Sequence, residues 1–221
     1  MYKNILLKLS GESLMSDSEN ICLLFDMLNN SNLQLELEEN FEDGRLNSSF
    51  NEEVVLNYIK QIIEENEYDF EKAPAREWYD FKFNGTPFNL KISNMSGADN
   101  VSSKKGLVYA LTGKLPNNTH QNCLDLLESD FVDSNEYDYG FLIVDKNTKK
   151  LYITSIKNLD VRYLVSNGNN LPFQCKWSFL NETLNHSTDN QAKDVLNVFY
   201  NSWLKKISID LHPLERLINR L

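Results

Sequence analysis

Apolar residues recur along this chain with two different periods. Between Ser49 and Asn66 the period is helical, with Val54, Val55, Tyr58, Ile59, Ile62 and Ile63 in one stripe. Ser49-Phe-Asn-Glu52 ahead of the stripe matches a capping box in which Glu52 reaches back to the Ser49 amide. Between Trp78 and Ser93 the period is two. Tyr79, Phe81, Phe83, Phe88, Leu90 and Ile92 alternate with Asp80, Lys82, Asn89, Lys91 and Ser93, which predicts a ribbon with one apolar and one polar face. Asn84-Gly85 interrupts the alternation, and Asn-Gly is the pair that most readily accepts the two positive φ values of a type I′ turn. A two-residue loop there pairs positions that sum to 169, setting Phe81 opposite Phe88, Asp80 opposite Asn89 and Trp78 opposite Lys91.

Shorter patterns fill in the rest. Ile5-Leu6-Leu7 and Ile21–Phe25 predict two short helices within residues 1–30, Leu33–Glu39 an exposed strand, and Glu38–Gly44 an acidic turn. A helix is expected from Ser102, capped by Ser102 or Ser103, with Leu107, Val108 and Leu111 inward and Gly113 as its stop. Another is expected over Pro116–Glu128. Tyr139–Asp145 and Leu151–Ile156 read as strands joined through Lys146–Lys150, Asn167–Asn170 as a loop, and Leu171–Phe179 as an exposed segment. Thr188–Lys206 reads as a helix, after which Asp210 caps a short terminal one through Leu214, Leu217, Ile218 and Leu221. The sum is an α/β (α+β) chain: a central mixed β-sheet of four or five strands flanked by helices, in a single domain over residues 1–221.

Composition is consistent with a real core, 41 % of the 221 residues being hydrophobic and 11 % aromatic. Three cysteines, Cys22, Cys123 and Cys175, have no Cys-x-x-Cys spacing and cannot all pair, which points to a reducing compartment. The opening apolar run is too short for a signal-peptide core, and no later run reaches the roughly 18 apolar residues of a membrane span. A soluble cytoplasmic protein is expected. His120, His186 and His212 each lack a ligand-spaced neighbour and are not expected to bind metal.

Charge divides the chain unevenly. The net charge of −10 opposes a polyanionic partner, but residues 1–71 hold 16 acids and 4 bases while residues 72–221 hold 16 acids and 18 bases. Between Lys72 and Lys114 there are 7 bases and 3 acids. The basic stretch brackets the hairpin, so the acidity lies away from its polar face.

On that polar face directly opposed residues have Cβ atoms about 4.5–5.5 Å apart, so Asp80, Asn89 and Lys91 converge. This arrangement resembles the core of the PD-(D/E)xK nuclease superfamily, in which an Asp on one strand faces an acid-x-Lys triplet on the next. Here the triplet is Asn89-Leu90-Lys91, with Asn in place of the usual acid, as in some type II restriction endonucleases of the superfamily. Tyr79, not Pro, precedes Asp80. The resemblance covers about fifteen of the 221 residues. The run Ser96–Lys114 also looks like the loop and helix that follow the active-site strands in some restriction enzymes.

The resemblance implies a restriction-endonuclease-like core and hydrolysis of phosphodiester bonds in double-stranded DNA with Mg²⁺. Asp80 would be the charged metal ligand, with the Asn89 amide oxygen and the Leu90 backbone carbonyl beside it, and Lys91 would act on the attacking water and the developing charge. A Glu on a preceding helix completes the metal site in many members. Glu52 lies roughly 70° from the centre of its helix's apolar stripe and Glu53 nearly opposite it, at about 100° per residue, so Glu52 is the better candidate. Lys82, Asn100, Lys104, Lys105 and Lys114, together with Gln174, Lys176 and Trp177, are candidates for DNA contact. On this reading residues 1–71 form an acidic, mainly helical part, 72–160 the catalytic sheet core, and 161–221 a DNA-contact segment with the C-terminal helices. A homodimer is expected, since two-fold symmetry matches palindromic sites. A repair or recombination nuclease of the same superfamily and a non-catalytic acidic interaction protein are the alternatives.

Overall fold

The computed structural model describes residues 15–31, 44–101, 104–117, 119–169, 172–181 and 191–220, with the backbone alone at 44–50 and 181. The expected features at residues 1–14, the strand and acidic turn at 32–43, the Ser102 and Ser103 caps, His186, the Thr188 helix start and Leu221 lie outside the described residues. Two helices come first among the described residues. Helix α1 (Asp17–Asn30) begins at a true capping box, the Ser16 hydroxyl accepting from the Glu19 amide while the Glu19 carboxylate accepts from the Ser16 amide. Helix α2 spans Gly44–Glu65 and starts five residues earlier than expected, so Ser49 lies inside it and not at its N-terminus. Leu46, Phe50 and Val54 follow one another at intervals of four, which carries the helical repeat past Ser49.

Five strands form the main sheet, in the order β1 (Phe70–Lys72), β2 (Phe81–Phe83), β3 (Thr86–Ser93), β5 (Gly140–Asp145) and β6 (Leu151–Ser155). Only β3 and β5 are parallel, in register Asn89↔Phe141 and Lys91↔Ile143; the other neighbours are antiparallel. The parallel pair requires a crossover, and it contains β4 (Ala98–Asn100), α3 (Lys104–Thr112) and α4 (His120–Asp130). Helix α3 stops at Gly113, whose φ of +69° lets its amide reach the Tyr109 carbonyl at 2.7 Å. Helix α4 starts later than expected because Thr119 supplies the cap, accepting from the Asn122 amide. Strand β5 is buried along its whole length, as a central strand covered on both faces must be.

The sheet separates two cores. On one side Phe81, Phe83, Phe88, Leu90, Leu142 and Val144 meet α1 and α2. On the other, Tyr139, Phe141 and Ile143 meet α3, the inner end of α5 (Ala192–Ile218) and a small second sheet, ordered β4, β8 (Gln174–Lys176) and β7 (Leu164–Val165). This is a mixed sheet flanked by helices, an α/β fold. The expected break before Asp210 is absent: α5 runs on through Pro213, and Asp210 pairs with Lys206 one turn earlier. The segment expected to be exposed at Leu171–Phe179 is instead largely built into the second sheet and core, with Phe173, Cys175 and Trp177 buried. Among the described residues, no helix is long and apolar enough to cross a membrane.

A buried polar cluster ties α1 to the rest. Asp17 accepts from the Thr86 hydroxyl at 2.6 Å, the Tyr109 hydroxyl at 2.9 Å and the Asp138 amide at 3.0 Å. Burial raises the Asp17 carboxyl, and the donors from Thr86, Asp138 and Tyr109 work against that rise. Asp138 is fully buried beside Lys157, and desolvation pushes its carboxyl up to about 6 despite amide donors and the lysine charge. Lys157 is buried too, donates to the Ser134 carbonyl, and has its ammonium pKa lowered by the same desolvation.

Candidate active site

The hairpin forms as its turn chemistry requires. Asn84 and Gly85 have φ of +49° and +89°, and β2 pairs with β3 as Phe81↔Phe88, Lys82↔Pro87 and Phe83↔Thr86. One residue further the ladder breaks. The Asp80 amide donates to the carbonyl of Phe88 at 2.8 Å, so Asp80 and Phe81 both answer to one residue of β3 and form a β-bulge. The expected direct opposition of Asp80 to Asn89 and of Trp78 to Lys91 is therefore displaced. The bulge also reverses side-chain parity: Tyr79, expected on the face of Phe81, lies in the opposite core with Tyr139 and Phe141.

Beyond the bulge β3 has no strand on its β2 side among the described residues, and the Asp80 carboxylate takes that place. Its Oδ2 accepts from the Leu90 amide and from Asn89 Nδ2, both at 2.7 Å. Burial raises the Asp80 carboxyl, with the Leu90 amide and the Lys91 charge opposing. Asn89 Oδ1 is buried without a hydrogen-bond partner among the described residues. The N–H and C=O of one strand residue point the same way, so the Leu90 carbonyl shares the open edge with Asp80. Asp80, Asn89, Leu90 and Lys91 thus come together as expected, through the bulge and not through simple cross-strand pairing.

Glu52 is placed elsewhere. It is exposed on α2, whose apolar stripe covers the face of Phe88 and Leu90, whereas Asn89 and Lys91 alternate onto the other face. Its neighbour Glu53 holds Lys72 of β1 at 2.7 Å. Among the described residues no group of three His, Cys, Asp or Glu side chains is placed to hold a metal ion. Mg²⁺ keeps several waters and needs only one or two protein carboxylates, and an orphaned amide oxygen beside a carboxylate and a strand-edge carbonyl is a donor set of the oxygen type it takes.

The cationic candidates divide three ways. Lys104 and Lys105 open α3 and line a cleft of about 400 Å³ with Arg76, Glu77, Trp78, Asn117 and Cys123. The cleft lies between the start of α3 and the segment that leads into Asp80. Arg76 and Trp78 are additions that alternation could not single out, although Arg76 belongs to the basic stretch. Arg76 has φ of +70° at the third position of a turn closed by the Glu77 amide on Pro74. Glycine or asparagine is usual there. Lys104 also approaches His120 at 3.1 Å, and desolvation with the Lys104 and Lys206 charges lowers that imidazole's pKa.

Lys82 and Lys114 are held by Glu71 and Asp130. Asn100 and Gln174 bond each other across β4 and β8 at 3.1 Å, and Gln174 also accepts from Asn167. Lys176 is exposed, but Trp177 is completely buried against Phe141 and cannot contact DNA in this fold. Its aromatic surface is worth more in the core than in water.

Comparison with protein-family models and with curated proteins gives no match. What the site can do is therefore argued from its own groups.

Proposed function

We propose that this chain is a divalent-metal-dependent nuclease that hydrolyses phosphodiester bonds in double-stranded DNA, working as a homodimeric type II restriction endonuclease. The observation that carries the reading is the meeting of the Asp80 carboxylate with Asn89-Leu90-Lys91 on a strand edge that the described residues leave unpaired, beside an amide oxygen with no partner among them. The order of elements supports it: a helix precedes the hairpin strands, and a loop and helix follow them. Asp80 Oδ1, Asn89 Oδ1 and the Leu90 carbonyl would hold Mg²⁺, which when bound supplies Lewis acidity and a water of lowered pKa. The Lys91 ammonium would orient the attacking water and offset negative charge that develops on the phosphoryl oxygens. Arg76, Lys104 and Lys105 hold the flanking backbone phosphates in the cleft.

Incubation of purified protein with phage and plasmid DNA tests this, in Mg²⁺ and in EDTA, beside Lys91→Ala and Asp80→Asn. Asp80→Asn keeps an acceptor for the Leu90 amide, so its loss of activity is not a folding defect. Discrete fragments that need Mg²⁺ and vanish in both variants are expected. Mg²⁺-dependent degradation to a smear would replace the restriction reading with a repair or recombination nuclease. DNA left intact throughout would sink the nuclease and favour an interaction protein.

A further inference from the structure

Helix α5 carries an apolar stripe that the described residues leave uncovered. Its inner end docks through Ala192, Val195, Phe199 and Ser202, but from 207 to 220 every residue is exposed. Within and just before that stretch, Tyr200, Leu204, Ile207, Leu211, Leu214 and Ile218 are 46–68 % exposed. Their intervals are four, three, four, three and four, the repeat of a coiled-coil seam and not the wider stripe of a helix lying on a globular core. Large apolar side chains in a continuous row on a projecting helix have no use in water.

We propose that this stripe is the seam through which α5 pairs, antiparallel, with α5 of a second copy of this chain. A heptad stripe is self-complementary, so a two-fold axis lets the same six residues serve both copies. At roughly 100 Å² for each half-exposed large side chain, six contribute about 600 Å². With their polar borders they approach the roughly 800 Å² that one partner buries in a standard interface. Charge selects the orientation. In a parallel pair the border residues Asp210 and Glu215 of the two helices would face each other twice. With Ile207 opposite Leu211 of the other copy, the antiparallel pair keeps all six apolar layers and leaves one like-charge contact in place of two, Asp210 against Asp210 of the other copy, each of them held by its own Lys206. The seam gives an interface to the homodimer proposed above but does not rest on its chemistry, because the stripe is remote in sequence from Asp80 and Lys91 and its test needs no DNA.

Light scattering coupled to gel filtration, at high micromolar concentration, should give twice the 25.7 kDa chain mass. Leu211→Glu combined with Leu214→Glu should give the single-chain mass with an unchanged far-UV spectrum, since both positions are exposed. A monomeric wild type, or a double variant that remains dimeric, overturns the proposal. In a Cys22→Ser background, which removes the exposed native thiol, Tyr200→Cys mixed with Ile218→Cys should cross-link between copies. Cross-linking of Tyr200→Cys with itself would mark a parallel pair and overturn the orientation.

Discussion

Replacing Asn89 by Asp places a second carboxylate against the first. In the wild type Asn89 Nδ2 donates to Asp80 Oδ2 at 2.7 Å. Two carboxylate oxygens at that distance would repel by about 6 kcal/mol at an effective dielectric near 20, and by about 4 kcal/mol once they part to about 4 Å. Sharing one proton caps the cost, as like charges at one site raise one of the two pKa values strongly. At pH 7 without metal, Asn89→Asp should lose about 2–4 kcal/mol, or roughly 4–16 °C in Tm for a chain of this size. The loss should shrink toward pH 5: the pair's folded pKa is raised, so its stabilising proton is present at low pH and leaves as pH rises. Mg²⁺ should reverse the order, because a cation between two carboxylates turns repulsion into attraction and stabilises the folded state by mass action. Thermal unfolding in EDTA and across a Mg²⁺ titration measures both effects. A variant as stable as wild type in EDTA would show that the two side chains are not in contact; a Mg²⁺ response no larger than wild type's would remove Asn89 from the ligand set.

Four other outcomes follow from the same structure. Lys157→Met should cost about 3–5 kcal/mol by stranding buried acids, and adding Asp138→Asn should recover most of it, read from urea midpoints; a double variant no better than the single one would show that the two charges do not compensate. Because burial lifts Asp138 to about 6, its proton stabilises the fold below about pH 4 and is lost as pH rises to 6, so Asp138→Asn alone should flatten that part of the stability–pH curve by about 3 kcal/mol. Gly140→Ala would bring a Cβ to 2.3 Å from the Phe88 ring and should cost about 1–3 kcal/mol in urea unfolding, relieved by Phe88→Leu; a neutral Gly140→Ala would contradict the parallel pairing of β3 with β5. If Lys104 and Lys105 hold phosphates, replacing both by Ala should lower the log–log salt slope of DNA binding by about 2, and an unchanged slope would take them out of the interface.

The hairpin was legible because Asn84-Gly85 determines both turn type and register, so local chemistry alone placed the strands. The bulge was not. Nothing in Tyr79-Asp80-Phe81 marks it, since it arises where β2 ends and the Asp80 side chain satisfies the Leu90 amide in place of a backbone carbonyl. Two Ser-x-x-Glu runs show the limit of a four-residue signal. Ser16–Glu19 caps a helix because the backbone at Ser16 is extended, while Ser49–Glu52 is overtaken by an apolar repeat that began at Leu46. Trp177 and Gln174 looked like a polar, aromatic recognition strip, but burial is decided by what packs above a segment, and three-residue strands carry almost no periodic signal. Asp210 looked like the cap of a separate terminal helix, yet α5 runs on past it and through Pro213, whose missing amide, on an exposed helix, removes one hydrogen bond that water can replace at the freed carbonyl.

The cluster at Asp17 also dictates an order of events. Its three bonds, to Thr86, Tyr109 and Asp138, bridge 69, 92 and 121 residues of chain. At ribosomal speeds of about 5–20 residues per second, roughly 6–24 s separate the synthesis of Asp17 from that of Asp138. Through that interval α1 exists only as a short amphipathic segment of a nascent chain, its carboxylate still hydrated and its Ile21 and Leu24 face unprotected. The helix that starts at Asp17 is thus made early and docks late, and the unfinished chain leaves that face available to chaperones until strand β5 emerges.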